Sequence, residues 1–359
     1  MSYSIAVWLL AGTLAMAAMA REEGAARWTA EQARAWHDNQ PWLVGCNYVP
    51  SNAVDTTEMW QAETFDAALI GRELALAQDL GFNSTRVFVQ YLVWRHDPEG
   101  LKKRLGEFVA IADGHGLTTM PVLFDDCAFA NKQPYLGKQD EPVPGVHNSG
   151  WTPSPGHERV VDRETWPDLE GYVADVVGHF ARDSRVVAWD LYNEPGNSGM
   201  GDKSLPLVRA CLAWARKARP IQPLTIGVWN GGLKGYNAAQ IELSDVVSFH
   251  CYGNLDAVKG LVAGLKANGR PLLCTEWLAR GMGSLPRTHL PFFRQEKIAC
   301  YNWGLVNGKT QTHLPWGSKK GDPEPRLWHH DLFRRDGTPY DPDEAAFIRG
   351  FLRGDGAGR

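Results

Sequence analysis

Past its first twenty residues the chain has no apolar run long enough to cross a bilayer as a helix, so a polytopic membrane protein is excluded. It has no excess of basic charge either. The formal net charge is −4, and the field that draws a protein to a phosphate backbone is missing. No glycine-rich phosphate loop follows the first apolar segment, which argues against an open doubly wound nucleotide-binding sheet. No His-x-His opens an early strand, the usual mark of a metal-dependent barrel hydrolase. The six cysteines, Cys46, Cys127, Cys211, Cys251, Cys274 and Cys300, show no paired spacing, so neither a zinc site nor a disulfide framework is legible. Each reads equally well as a small buried residue, and no pair is assigned. No internal repeat and no linker rich in proline, glycine and serine divides the chain.

Residues 1–20 carry no charged side chain and end in Ala18-Met19-Ala20, the pattern of a signal peptide with its cleavage site. Export to the periplasm or the outside is the expectation. The apolar core, 5–18, is shorter than the ~20 residues of a spanning helix. An uncleaved anchor is the alternative, since no lysine or arginine stands near Met1. Residues 21–359 are then one domain. Within them, short apolar runs at 42–48, 84–88, 119–124, 186–191, 224–229, 246–250, 272–275 and 303–306 read as eight strands. They alternate with helical periodicity at 65–80, 101–115, 169–181, 207–217, 255–267 and 290–298. Eight such units predict a TIM (β/α)8 barrel, whose sites lie at the C-terminal ends of the strands. Leu80-Gly81 and Asn268-Gly269 read as helix caps.

Two connections on that face are long. The stretch from Asp126 to Asp168 is dense in turn residues, and 311–332 follows the eighth strand with Trp316 and Trp328. If the first closes one end of the cleft, a polymer is attacked from its end; if it lies flat, attack is internal. The chain also carries 15 tryptophans, of which only Trp8 is in the leader. Such rings stack on the C–H faces of sugars, but they fill cores as well.

Glu194 and Glu276 each end an apolar run, in Trp189-Asp190-Leu191-Tyr192-Asn193-Glu194-Pro195 and Leu273-Cys274-Thr275-Glu276-Trp277. A carboxylate at the mouth of a buried strand is costly unless chemistry uses it. With Arg86 on the second strand, His250-Cys251-Tyr252 ending the sixth and Trp303 on the eighth, the set resembles clan A glycoside hydrolases, closest to family 5. That resemblance spans the second strand to the eighth. It implies a retaining glycoside hydrolase; the aromatic load and the long loops favour a β-linked oligo- or polysaccharide, and a monomer without a cofactor or a metal, with no nucleic-acid or membrane partner after cleavage, is the expectation.

By the same resemblance Glu194 is the acid/base and Glu276 the nucleophile. Arg86 stabilises the anionic Glu276, and Tyr252 donates a hydrogen bond to it. Asn193 reaches the sugar 2-hydroxyl, His250 is a nearby donor and Trp303 the platform under the reacting ring. Asp125, Asn47, Trp229 and Trp316 are further expected substrate contacts. Trp94, Trp151 and Trp277 serve equally well as core or stacking faces. Where many family members carry a histidine near the end of strand three, this chain reads Leu123-Phe124-Asp125-Asp126, so Asp125 or Asp126 either binds a hydroxyl or caps the loop. Three alternatives stay open: a transglycosylase, a barrel that binds carbohydrate without turning it over, and a metal hydrolase built on Asp125, Asp126, His250, His329 and His330.

Overall fold

The computed structural model describes residues 26–354; the expected signal peptide lies outside them. The strands are β1 Val44–Tyr48, β2 Ser84–Phe88, β3 Thr118–Asp125, β4 Trp189–Asn193, β5 Leu224–Thr225, β6 Val247–His250, β7 Leu272–Trp277 and β8 Ala299–Trp303. All pair in parallel, in the order β5-β4-β3-β2-β1-β8-β7-β6. A parallel bridge between Val228 and Phe249 closes the seam from β6 to β5. The result is the expected (β/α)8 barrel.

Helices cover the outside of the ring, so most strands are buried along their whole length. That is why they read as unbroken apolar runs instead of alternating ones. Local signals set several boundaries. Asp66 caps the helix Ala67–Leu80 by accepting from the Leu69 N–H, and Gly81 ends it in the left-handed region at φ 91°. Asp97 and Pro98 start the helix Pro98–Gly114 in the same manner. The helix Ala30–Asp38, not foreseen from the sequence, plugs the lower end of the barrel. Its Ala33 packs with Leu43, Met120, Val187 and Leu273, flanked by Trp28 and Trp36.

Three expectations need correction. The eighth strand lies at Ala299–Trp303, not 303–306, because the preceding helix, Pro286–Gln295, stops before the apolar run Ile298 to Tyr301. Lys297 at φ 53° turns the chain into the strand, and Gly304 at φ 76° turns it out again. Trp303 therefore stands at the mouth of the barrel instead of its floor. The fourth strand lies at Trp189–Asn193 instead of 186–191; Val186 retains only an isolated bridge to Thr119. The fifth is a two-residue strand plus the bridge at Val228, since pairing lapses around Gly227. All six cysteines are free thiols. Among the described residues no helix is long and apolar enough to cross a membrane.

Gly45 shows how tightly β1 and β2 approach: a Cβ there would sit 1.8 Å from the Ser84 carbonyl oxygen. Neither atom belongs to a flexible side chain, so the strands themselves have to move. Gly45→Ala is expected to cost at least about 2 kcal/mol, read as a lower urea midpoint with an unchanged slope. An unchanged midpoint would show that the ladder relaxes freely.

Candidate active site

Both glutamates reach the mouth through local departures from regular backbone. Glu194 follows β4 directly and holds φ 40°, a left-handed conformation costly for a side chain of its size. Pro195 then forbids further strand pairing on that side. On β7 the register against β6 pairs Phe249 with Cys274 and His250 with Glu276, leaving Thr275 as the extra residue of a bulge. Strict alternation would send neighbouring Thr275 and Glu276 to opposite faces. The bulge lets Glu276 line the cavity over the barrel.

Arg86 binds the two strand ends together. It is fully buried, and its guanidinium donates to Asp190 Oδ2 from Nε at 3.0 Å and Nη2 at 2.8 Å. Nη1 donates to Asn47 Oδ1 at 2.6 Å and Glu276 Oε1 at 2.9 Å, and Nη2 to Asn193 Oδ1 at 2.7 Å. Every N–H of the fork is matched. With its oxygen held by Arg86, the Asn193 amide turns its nitrogen to Asp125 Oδ1 at 2.9 Å.

Glu276 accepts a second hydrogen bond, from Tyr252 Oη to Oε2 at 2.7 Å. Glu194 Oε1 lies 2.9 Å from His250 Nδ1, while Oε2 accepts from Asn197 Nδ2 and from the Cys127 thiol at 3.3 Å. An oxygen of each carboxylate and a ring nitrogen of His250 all fall within 4.8 Å of one another. Burial raises the pKa of both glutamates. At Glu276 the Arg86 charge and the Tyr252 hydroxyl, both in direct contact, oppose that rise; at Glu194 the Cys127 and Asn197 hydrogen bonds oppose it, and the Arg86 charge does so more weakly and without contact. Burial also takes His250 down to about 4, so it is an uncharged imidazole at neutral pH. Burial thus favours a proton on either carboxyl, and the contacts with Arg86 and Tyr252 favour the charge on Glu276.

The cavity above the pair has a volume of about 670 Å³ and is mostly apolar, within the range of sites that enclose a small ligand. Asn193, His250, Tyr252, Trp229, Trp303 and Trp316 all line it, as the sequence led us to expect. Asp125 and Asn47 do not. Asp125 is buried behind Asn193 and accepts from its amide, from the Trp151 indole at 2.7 Å and from the Cys127 N–H at 2.9 Å. Burial lifts its pKa to about 7. Asn47 holds Arg86 and donates to the Thr275 carbonyl at 2.8 Å, bracing the bulge. Both orient other site residues. Trp277 stacks on His289, and Trp94 packs with Tyr91 and Tyr172, away from the mouth.

The residues proposed for a metal do not gather. Asp126 is taken up by Tyr192 Oη, the Gly196 N–H and Ser204 Oγ, and His330 Nδ1 by the Leu278 carbonyl. Glu194, His250 and Glu276 are the only trio among the described residues with donor atoms close enough to share an ion. The Arg86 charge at 2.9 Å from Glu276 sets a fixed repulsion against a cation there.

The chain shares its fold with glycoside hydrolase family 5 proteins. The GH5_18 protein of Streptomyces cattleya, solved in complex with Manβ1-4GlcNAc, superposes with a TM-score of 0.59 at 15% identity, over 88% of this chain and 81% of that one. The exo-β-1,4-mannosidase Op5Man5 from Opitutaceae bacterium strain TAV5 also gives 0.59, at 20% identity, over 87% of this chain and 59% of its own length. The endo-1,4-β-D-mannanase of Thermotoga petrophila RKU-1 gives 0.55 at 14% identity, over 87% and 99% of the two chains. No protein-family model and no curated protein matches the chain.

Sequence reasoning missed Cys127, Asn197, His147 and Asn148, which also line the cavity, and weighed His330, another lining residue, only as a metal ligand. Asn197 lies three residues after Glu194, a spacing that signals nothing until Gly196 and the turn around it bring the two side chains together. The Arg86 network yields a stability prediction with a definite sign. Arg86→Met strands Asp190 and Glu276 in the interior, and the expected loss at neutral pH is about 3–5 kcal/mol. Stranded carboxylates have folded pKa values above the unfolded ~4, so the deficit is largest at high pH and shrinks as pH falls toward that value. Urea unfolding at several pH values measures it; a pH-independent deficit would contradict the assigned charges.

Proposed function

We propose that the protein is a retaining glycoside hydrolase that cleaves β-linked glycans by double displacement. The observation that carries this reading is the approach of the two carboxylates, with Arg86 and Tyr252 on one and only neutral partners on the other. Retaining enzymes hold their carboxyl groups about 5–5.5 Å apart; inverting ones need more room for a water. In the first step Glu276 attacks the anomeric carbon while Glu194 gives its proton to the leaving oxygen. Glu194, now a base, then takes a proton from water as that water displaces Glu276. Asn193, fixed from behind by Arg86 and Asp125, is placed to bind the hydroxyl beside the reacting centre. The shared fold of proteins named as an exo-β-1,4-mannosidase and an endo-1,4-β-D-mannanase, and of one solved with Manβ1-4GlcNAc, supports a β-linked substrate, and mannosides and glucosides are the first to test. Action after export remains part of the proposal.

Proton NMR of the first product should show the β-anomer from a β-glycoside; the inverted sugar would reject double displacement. Glu194→Gln should lower kcat/KM on substrates with poor leaving groups by about 10²–10⁴ and spare kcat/KM on dinitrophenyl glycosides, which leave without a proton, while kcat on the latter falls because the second step has lost its base. Glu276→Gln should abolish both, and equal losses in the two variants on both substrates would undo the division of roles.

Tyr252→Phe removes a hydrogen bond that lowers the Glu276 pKa. Because Glu276 works ionised, the acidic limb of the pH–rate profile should move to higher pH while the basic limb, set by Glu194, stays. A shift of the basic limb alone would contradict the assignment.

A further inference from the structure

On the β1 and β2 side of the mouth, the connections after β1, β3 and β8 are joined into one slab. Asn148 N–H donates to the Thr310 carbonyl at 2.8 Å, and His147 donates from its N–H to Ser318 Oγ at 2.9 Å. Gln311 exchanges hydrogen bonds with the β3 connection, from Gly145 N–H at 3.0 Å and to the Val143 carbonyl at 2.8 Å. Thr152 donates to Asp55 Oδ2 at 2.7 Å, and Lys309 N–H to the Ser51 carbonyl at 3.0 Å. There is no slack: a Cβ on Gly150 would come within 2.2 Å of Val54, and one on Gly308 within 2.4 Å of Ser51. Behind the slab, Phe88, Trp151 and Trp303 pack edge to face at 5.3–5.8 Å. No residue of β1, β2 or the segments that follow them lines the cavity.

The other side differs. Beyond Glu194 the cavity is lined by Trp229, Gly253, Ala257, Leu261 and Met282, and Met282 is exposed. A proton donor must stand beside the leaving group, so the leaving part of the substrate runs out past Glu194. The attacked sugar then sits against Trp303, facing the slab. One residue of the slab is unfinished. Asn148 lines the cavity, is 3% exposed, holds φ 50°, and its Oδ1 has no hydrogen-bond partner. Buried polar atoms without a partner are rare, and each calls for a reason. Its neighbour His147 also lines the cavity, with Nδ1 held by the Leu314 carbonyl at 2.7 Å and its pKa lowered to about 4 by burial. The free nitrogen of that neutral ring is an acceptor at neutral pH.

We propose that His147 and Asn148 form an end stop that binds the hydroxyls of the terminal, non-reducing sugar, so that the enzyme removes single residues from chain ends. This rests on the glycosidase reading and adds direction and product length to it. A chain extending past the attacked ring would have to pass through the slab. Turning the Asn148 amide about its last bond brings its oxygen or its nitrogen to a sugar hydroxyl.

The test uses the purified full chain with β-1,4-linked manno- and cello-oligosaccharides of four to six units. Half of each set is methylated on the non-reducing terminal 4-hydroxyl. Monosaccharide as the only early product, with the capped chains left intact, is the expected result. Asn148→Ala should raise KM on the uncapped chains more than tenfold with kcat within about threefold, the split that lost binding of a bound hydroxyl produces. Early di- or trisaccharide, or capped chains cut as fast as uncapped ones, overturns the end stop while leaving the glycosidase intact. No hydrolysis of any chain or of any aryl β-glycoside overturns both.

Discussion

A guanidinium shut off from water must find its acceptors inside the protein, and Arg86 finds them on β1, β4 and β7 at once. Those strands come from distant parts of the chain, so the group acts as a gauge for barrel closure at the level of the mouth. Its charge also settles an electrostatic question. Two carboxylates this deep share one permanent cation, and a third charge on Glu194 would stand unmatched in a poorly solvated cavity. The same side chain that holds the barrel end together therefore gives the two glutamates different surroundings, with Glu276 in contact with its charge and Glu194 out of contact. Asp190, which does not line the cavity, matters to the site because it fixes the orientation of the fork.

The two glutamates arrive by different means. Glu194 relies on a strained φ after β4, followed by a proline, and Glu276 on one residue too many in β7. Each departure costs stability locally, and the cost is met by contacts that exist only once the barrel is closed. Asn47 illustrates this, since it braces the β7 bulge through the Thr275 carbonyl and Arg86 through its oxygen. Asp125 does the same for Asn193 and Trp151. An acid at the end of β3 thus works through its neighbours, with its oxygens already filled by protein donors.

Access is decided by a different layer of the structure. The barrel leaves its mouth open on all sides, and the long connections after β3 and β8 join over β1 and β2. Their hydrogen bonds run mostly between backbone and polar side chains, and the glycines at 150 and 308 allow the segments to touch. The carboxylate pair and the wall that bounds the cavity are thereby built from different segments of the chain.

Much of this was written in the order of residues along the chain. Eight apolar runs at helix-separated intervals define a parallel barrel, because a strand covered on both faces must be apolar throughout, and a charged residue at the end of such a run stands out. Glu194 and Glu276 were legible for that reason, and Arg86, His250, Tyr252 and Trp303 through the family resemblance their order along the strands carries. The eighth strand was misplaced because a helix tail and a strand start share one apolar run, and only the turn at Lys297 separates them. Asp125 and Asn47 looked like substrate contacts since a polar residue near the mouth has the same signature whether it faces the cavity or a neighbour. Cys127, Asn148 and His147 carry no local pattern at all. The sequence by itself determined which side chains stand at the strand ends, because strand length and burial are local properties of composition. Which of them face the cavity and which brace a neighbour instead were decided by tertiary structure, because each depends on atoms contributed by strands and loops far apart in the chain.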